Sequence, residues 1–231
     1  MGPKAHPMLA RFYEATYGRL VALGYDGLLR GSERAGLADS RRDLLAHACG
    51  ATLEIGAGTG LNLRDYPAPV TDLVLTEPSP HMARRLRVRA DRWARAARVV
   101  EAPAEDLPFP DTSFDTVVAT LVLCSVADPA RALSEIRRVL GPGGRLLFLE
   151  HVRSTDPRLA ARQDRWHGLW LLLGAGCHCN RDTKRAIARA AFHIERITHG
   201  QMPKMPSIVQ PLVSGVARPK GVEVGRGDGS A

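Results

Sequence analysis

Leu53-Glu54-Ile55-Gly56-Ala57-Gly58-Thr59-Gly60 is the stretch on which the reading of this chain turns. It begins inside a short apolar run, Ala51–Ile55, that reads as a strand, and its glycines fall where that strand ends and a helical stretch is expected to begin. Glycine there tolerates positive φ and lets the backbone approach a ligand closely. The spacing is GxGxG. A dinucleotide fingerprint needs GxGxxG, which would put glycine at position 61, where the chain has Leu61.

Outward from the loop, the apolar pattern alternates between strand and helix. A helical stretch is expected from the glycines to about Tyr66. Asp72–Thr76 reads as a second strand closed by Glu77, and Pro80–Trp93 as a helix with proline in its first turn. Arg98–Glu101 and the β-branched Phe114–Thr120 are the third and fourth strands. Asp128–Leu140 is a helix that Asp128 caps, Pro129 opens and Gly141-Pro142 ends, and Arg145–Glu150 is the fifth strand. Residues 157–173 and 181–191 read as helices. Phe192–Thr198 and Ile208–Ala217 are the last strands, with Pro211 calling for a bulge or bend. Strands alternating with helices give parallel βαβ units. The expected fold is α/β: a doubly wound, Rossmann-like, seven-stranded and mostly parallel sheet with an antiparallel C-terminal strand pair. Residues 1–48, with Phe12, Tyr13, Tyr17 and Tyr25, form an expected N-terminal helical cap divided at Gly24, Gly27 and Gly31. Residues 49–218 form the main domain, and the Gly-rich polar tail 219–231 is expected to be disordered.

A chain of 231 residues that is 45% hydrophobic can bury the core of one large domain. Leu169–Leu173 is far too short to span a bilayer, and the N-terminus lacks a signal-peptide pattern. The expectation is a cytoplasmic protein without a transmembrane anchor. Four cysteines, Cys49, Cys124, Cys177 and Cys179, make no disulfide framework. Cys177-His178-Cys179 lacks the second ligand pair of a zinc site, so no metal is expected. Cys124 reads as a buried small hydrophobe. The net charge of +8 rests largely on arginine, with a cluster running from Arg84 to Arg98. Trp93 is its sole interleaved aromatic, so the cluster reads as a solvated helix face and nucleic acid is not an expected partner. Nothing in the composition speaks to the oligomeric state.

The residues around the glycines narrow the ligand. Glu54 lies two positions before Gly56, where a dehydrogenase usually carries an apolar residue. A carboxylate there suits a cation. S-adenosylmethionine carries a sulfonium and an ammonium and lacks the pyrophosphate that a helix N-terminus would hold. Glu77, closing the second strand, stands where a carboxylate can accept from both ribose hydroxyls.

Glu54 through Gly60 resembles the first motif of class I methyltransferases. Ala104-Glu105-Asp106-Leu107-Pro108-Phe109 with Ser113-Phe114-Asp115 resembles the loop and fourth strand of their methyltransferase-11 branch, and Leu140-Gly141-Pro142-Gly143-Gly144 the turn before the fifth strand. The resemblance implies S-adenosylmethionine as co-substrate. It places Gly56, Gly58 and Thr59 at the donor's methionine part, Glu77 at its ribose, the Ala104 backbone at its adenine edge, and Thr120 and Leu121 on its floor, with Glu54, Gly60 and Glu105 as further cofactor-binding candidates. Pro103 departs from many relatives, which carry a polar residue beside the adenine. A narrower resemblance, carried by Thr120–Val126, Glu150-His151-Val152, Gly176-Cys177 with Asn180-Arg181, and Pro211 with Gly215, is to the thiol methyltransferases of the methyltransferase-like 7 family. The animal members' N-terminal anchor is not carried over.

A thiol acceptor reacts as its thiolate. His151, following the fifth strand at the edge where ligands bind in such folds, is the candidate base. Arg153 could hold an anion or pair with a surface acid. Trp166, His167 and Trp170 could form a substrate wall or pack in the core. The expected function is methyl transfer to a small-molecule acceptor, a thiol by preference. The alternative is an O-, N- or C-methyltransferase for a natural product, quinone precursor or lipid headgroup. The Asn/Asp-Pro-Pro-aromatic motif of base-amine methyltransferases is replaced here by Thr120-Leu121-Val122-Leu123.

Overall fold

A computed structural model describes residues 18–174 and 176–220 of the chain. Its strands are β1 (Gly50–Ile55), β2 (Val70–Thr76), β3 (Arg98–Val100), β4 (Phe114–Thr120), β5 (Leu140–His151), β6 (Phe192–Gln201) and β7 (Pro211–Pro219). They form one sheet in the order β3-β2-β1-β4-β5-β7-β6. All neighbours are parallel except β5·β7 and β7·β6. The helices are α1 (Arg19–Ser32), α2 (Ala38–Leu45), α3 (Pro80–Asp91), α4 (Pro129–Val139), α5 (Pro157–Leu173) and α6 (Thr183–Arg189). The chain winds outward from β1 to β3, then returns to β4 on the other side. That reversal leaves a crevice at the carboxyl ends of β1 and β4, the place where open α/β sheets bind ligands.

Both faces of the sheet are covered, which is why its central strands read as continuous apolar runs. The strand period of two sorts β5 between them. Leu146 and Phe148 join Leu53, Ile55, Val117, Leu133 and Ile136 on one side. Leu147 and Leu149 join Leu73, Leu75, Leu86, Val118 and Leu45 on the other. Asp128 caps α4, accepting from the amides of Ala130 and Arg131 at 3.0 and 3.1 Å. The Glu135–Arg138 segment of α4 is tied into the fold. Ile136 is fully buried, Glu135 accepts from the Leu107 amide, and Arg138 donates to the carbonyls of Leu107 and Phe109. Those bonds fasten the loop between β3 and β4 to α4.

Several local expectations are corrected. Residues 61–66 hold only a 3-10 turn, Leu63–Asp65, because Asn62 and Tyr66 are drawn inward to the Glu54 carboxylate and Pro67 follows at once. Gly24, Gly27 and Gly31 do not divide the N-terminal helix, which runs unbroken through them. The break comes at Gly36, at φ 125° inside a π-helical turn. Pro211 is the first residue of β7 and disturbs nothing there; the irregularity lies in β6, between Ile194 and Arg196. Residues 1–17 of the expected cap and most of the tail lie outside the described residues.

Gly215 sits in the middle of β7, opposite Phe148 on β5 and Ile197 on β6. A Cβ built on it would lie 2.6 Å from the Phe148 ring and run into the Arg196 carbonyl. Gly215→Val therefore has no room. Such overpacking costs about 2 kcal/mol or more, a fall in Tm of roughly 4–8 °C in a domain of this size. Thermal unfolding checks it, and an unchanged Tm would show that β6 and β7 part easily.

Candidate active site

The loop after β1 holds Gly56, Gly58 and Gly60 at φ of 57°, 59° and 84°, the left-handed region that glycine enters without strain. The absent side chains do different work. A Cβ at Gly56 would run into the Val122 side chain, and one at Gly60 would meet Leu86 and Leu63 at 2.7 and 2.9 Å. These two glycines let neighbouring elements close in. At Gly58 the nearest atom to a built Cβ is a ring carbon of Tyr25 at 3.9 Å, so this position faces open space. Glu77 frames that space. Its carboxylate accepts from the amides of Gly58 and Ser79, each at 2.9 Å. The Thr59 hydroxyl donates to Asp26 of α1 at 2.5 Å, and Asp26 also pairs with Arg89 of α3, tying the N-terminal helix to the glycine loop.

Glu54 is 1% exposed. Its carboxylate accepts from Asn62 Nδ2 at 2.9 Å and from the Tyr66 hydroxyl at 2.6 Å. Asn62 Nδ2 also donates to Thr120 Oγ1 at 2.9 Å, and Asn62 Oδ1 accepts from Arg41 at 3.1 Å. Burial pushes the Glu54 carboxyl up to about 7, against the hydrogen bonds from Tyr66 and Asn62 and the charge of Arg41. Leu121, after Thr120, takes φ 59°, and its amide donates to the Leu149 carbonyl at 2.7 Å. Ala104 is buried in the core. Glu105 accepts from the amides of Ala127 and Asp128 at 2.8 and 3.2 Å, stapling its loop to the start of α4. Glu54, the glycines, Glu77, Thr120 and Leu121 thus gather at one edge of the sheet, whereas Glu105 serves the neighbouring loop.

Beside this edge lies a cavity of about 360 Å³. Tyr25, Leu28 and Leu29 of α1 form one wall, and Trp170 and Leu173 of α5 another. Leu121, Cys124, His151, Cys177, Met202 and Met205 complete most of it, and among the described residues no Asp, Glu, Lys or Arg takes part. Tyr25 borders both the cavity and the open space at Gly58. His151 is 6% exposed; it lies against the Val209 backbone, and among the described residues its Nδ1 has no hydrogen-bond partner. Burial lowers its pKa to about 4, so the ring is neutral at physiological pH. Beneath the turn after β4, Glu150 accepts from the amides of Val122, Leu123 and Cys124 at 3.1, 2.9 and 3.2 Å. Burial raises its carboxyl to about 7 despite those donors.

Other singled-out residues lie elsewhere. Arg153 pairs with Asp164 at 2.5 and 2.7 Å on the surface, and Asn180 donates to the same carboxylate. Trp166 faces solvent, and His167 bonds to His178 at 2.9 Å. Within the arginine cluster, Arg87 pairs with Glu101, and Arg95 donates to the carbonyls of Pro67 and Val70. Sequence reasoning missed Asn62, Arg41, Tyr66, Met202 and Met205. No spacing rule signals them, because the fold alone brings them to this edge. Among the described residues no group of three or more His, Cys, Asp or Glu is placed to hold a metal ion, and no helix is long and apolar enough to cross a membrane.

Comparison with known proteins agrees with this geometry. Residues 53–148 match the family described as "Methyltransferase domain". The chain is 36% identical to the human thiol S-methyltransferase TMT1A over 176 residues, 71% of this chain and 69% of the relative. It is 40% identical to human thiol S-methyltransferase TMT1B over 146 residues, 62% of this chain and 59% of the relative, so it spans about three fifths of that protein's length. A SAM-dependent methyltransferase of Leishmania major superposes with a TM-score of 0.63 at 16% identity, covering 89% of this chain and 80% of that one, a likeness of fold alone. The chain belongs to the class I S-adenosylmethionine-dependent methyltransferases, and within them it resembles the thiol methyltransferases of the methyltransferase-like 7 family.

Proposed function

We propose that the protein transfers a methyl group from S-adenosylmethionine to a small, apolar thiol held in the cavity beside the glycine loop. The observation that carries the reading is the cavity itself. Among the described residues its wall holds Cys124, Cys177, Met202 and Met205, one neutral imidazole, and no charged side chain. An ammonium or phosphate headgroup finds no counter-ion among them. An uncharged thiol loses little on entering, and polarisable sulfur packs well against such a lining. A volume near 360 Å³ suits a small molecule. The thiol S-methyltransferase relatives support the same acceptor class.

The residues at the sheet edge fit the donor. Gly58 leaves room for a ligand against the backbone, and the Glu77 carboxylate beside it is placed to accept from ribose hydroxyls. Glu54, its carboxyl raised by burial to about 7, ionises most readily with a cation over the loop, where the donor's charged groups are to lie. Thr120 and Leu121 form the floor between donor and acceptor, with Gly56, Thr59 and Gly60 shaping the loop and Ala104 and Glu105 the adenine side. The donor supplies an already activated methyl on a sulfonium, so the protein's task is alignment and exclusion of water. His151 on the cavity wall is the residue assigned to accept a hydrogen bond from the acceptor thiol as its sulfur becomes nucleophilic; the burial that keeps it neutral also weakens it as a base.

Turnover is tested by S-adenosylhomocysteine formation with alkyl thiols, hydrogen sulfide, phenols, amines and a quinone precursor. Fast turnover of thiols is expected; turnover confined to phenols, amines or the quinone precursor sinks the acceptor assignment. With a thiol, His151→Ala lowers kcat/KM by roughly 10²–10⁴ near neutral pH. The sign of the pH effect follows from the acceptor. A free thiol ionises near pKa ~8.5, so above that pH the thiolate forms unaided and the variant approaches the parent. A deficit that stays constant with pH would make His151 structural. Glu77→Gln weakens S-adenosylhomocysteine binding by roughly ten- to a hundredfold, the weight of a hydrogen bond to a charged group. Calorimetry checks it, and unchanged affinity would place the ribose elsewhere.

A further inference from the structure

Cys124 and Cys177 come from segments far apart in the chain and line the same cavity as free thiols. The backbone fixes their approach. The His178 amide, next to Cys177, donates to the Cys124 carbonyl at 2.8 Å. Arg181 donates to the carbonyls of Leu123 and Val126 at 2.7 and 2.9 Å, so residues 177–181 are clamped against the turn 123–126. On the other side Glu150 holds the Cys124 amide. Two thiols on segments braced in this way line one small cavity, with little freedom to separate.

We propose that Cys124 and Cys177 form a reversible dithiol–disulfide site that reacts with small apolar disulfides, the oxidised form of the acceptor class, and that its disulfide closes the acceptor cavity. The chemistry of the pair stands without the proposed function; the loss of turnover rests on it. The thiolate of Cys177 attacks one sulfur of RSSR, forming a Cys177–S–S–R bond and releasing RS⁻. The Cys124 thiol, losing its proton to a released thiolate, then attacks the Cys177 sulfur and releases the second RS⁻. The two cysteines together lose two electrons and two protons, and RSSR gains both to leave as two RSH. No other oxidant is needed, and excess dithiol reverses each step.

The surroundings give the two sulfurs unequal roles. The Cys124 thiol, together with Trp170 and Arg181, holds Cys177 below the usual thiol range against its burial. Cys124 is pushed well above that range by Cys177 and by burial, with the Glu150 charge adding to the rise. Cys177 is also the more exposed of the two, 8% against 1% for Cys124, so it is the sulfur an incoming disulfide reaches first and Cys124 is the resolving one. Among the described residues, Tyr25 on α1 and the neutral His151 on β5 are the other titratable groups on the cavity wall. Cys49 lies at the opposite end of β1; Cys179 is near Cys177, but it is outside the cavity lining, its thiol is directed to the Gln163 carbonyl, and burial and Cys177 raise it. Chemically, closure links the turn after β4, which carries the floor residue Leu121, to the segment after α5. The space between the two sulfurs is then filled by the bond.

The test exposes the full-length protein to diethyl disulfide, then measures intact mass, non-reducing peptide maps and thiol methylation. Wild type is expected to lose two hydrogens, to yield a Cys124–Cys177 peptide, and to lose turnover that dithiothreitol restores. Cys124→Ser is expected to stop at a mixed ethyl disulfide on Cys177, and Cys177→Ser to leave Cys124 unmodified. A peptide map linking another pair or none, an adduct first on Cys124, or full turnover in the cross-linked protein would each overturn the proposal. If the reduced protein methylates no thiol, the function reading fails while mass and peptide map still decide the disulfide.

Discussion

The hydrogen bonds of Asn62 hold the site open in its working form. One amide nitrogen bridges Glu54 at the end of β1 and Thr120 at the end of β4, each at 2.9 Å. These strands flank the reversal in sheet order, so their ends have no crossover helix above them to set their spacing. The Asn62 carbonyl passes the constraint on to Arg41, which also pairs with Glu33 at 3.0 Å and so brings the N-terminal helices into register. A buried carboxylate is costly unless its oxygens are satisfied, and Tyr66 supplies the second donor to Glu54. The early end of helical structure after the glycine loop has the same origin, since a full helix there would carry Asn62 and Tyr66 away from Glu54.

A second buried carboxylate repeats the device one strand away. Glu150 of β5 gathers three successive amides of the turn after β4. Leu121 enters that turn at φ 59°, a strained angle for a branched side chain. Its amide bond to Leu149 and the Glu150 contacts supply the compensation, and the result is a leucine and a cysteine presented together to the cavity. Strain confined to one residue at the sheet edge, held by bonds from the next strand, is a feature of positions where ligands are aligned.

How much of the molecule is legible in its sequence depends on whether the information is local. The glycine loop, the Asp128 cap, the paired last strands and the run of βαβ units each rest on neighbouring residues, and their expected spans agree with the structure to within a few residues. Gly24, Gly27 and Gly31 read as breaks because glycine weakens an isolated helix, yet packing of α1 against α3 and the loop overrides that preference. The arginine cluster reads as a solvated face, whereas Arg85, Arg87, Arg89 and Arg95 have structural partners. The cavity is not legible, because its wall combines α1, the turn after β4, α5 and the segment before β7. Cys124 reads as a small hydrophobe on its apolar context alone. That it is buried is true, but its nearest thiol belongs to a segment that only the folded sheet brings alongside.

The charge distribution gives the proposed reaction its physical sense. The chain carries a net charge of +8, yet the edge proposed for the donor is underlain by Glu54 and Glu77, and among the described residues the adjoining cavity wall has no charged side chain. A cationic ligand and a neutral one are therefore sorted to adjacent places by electrostatics alone. Transfer of a methyl from a sulfonium to a thiolate removes a positive and a negative charge together. Water stabilises the separated charges more than the neutral products, so a dry cavity favours the transfer. In such a medium opposite charges also attract far more strongly than in water. The same dryness makes the thiolate hard to form inside the cavity, and it weakens His151 as a base while keeping that ring free of a permanent charge beside the donor.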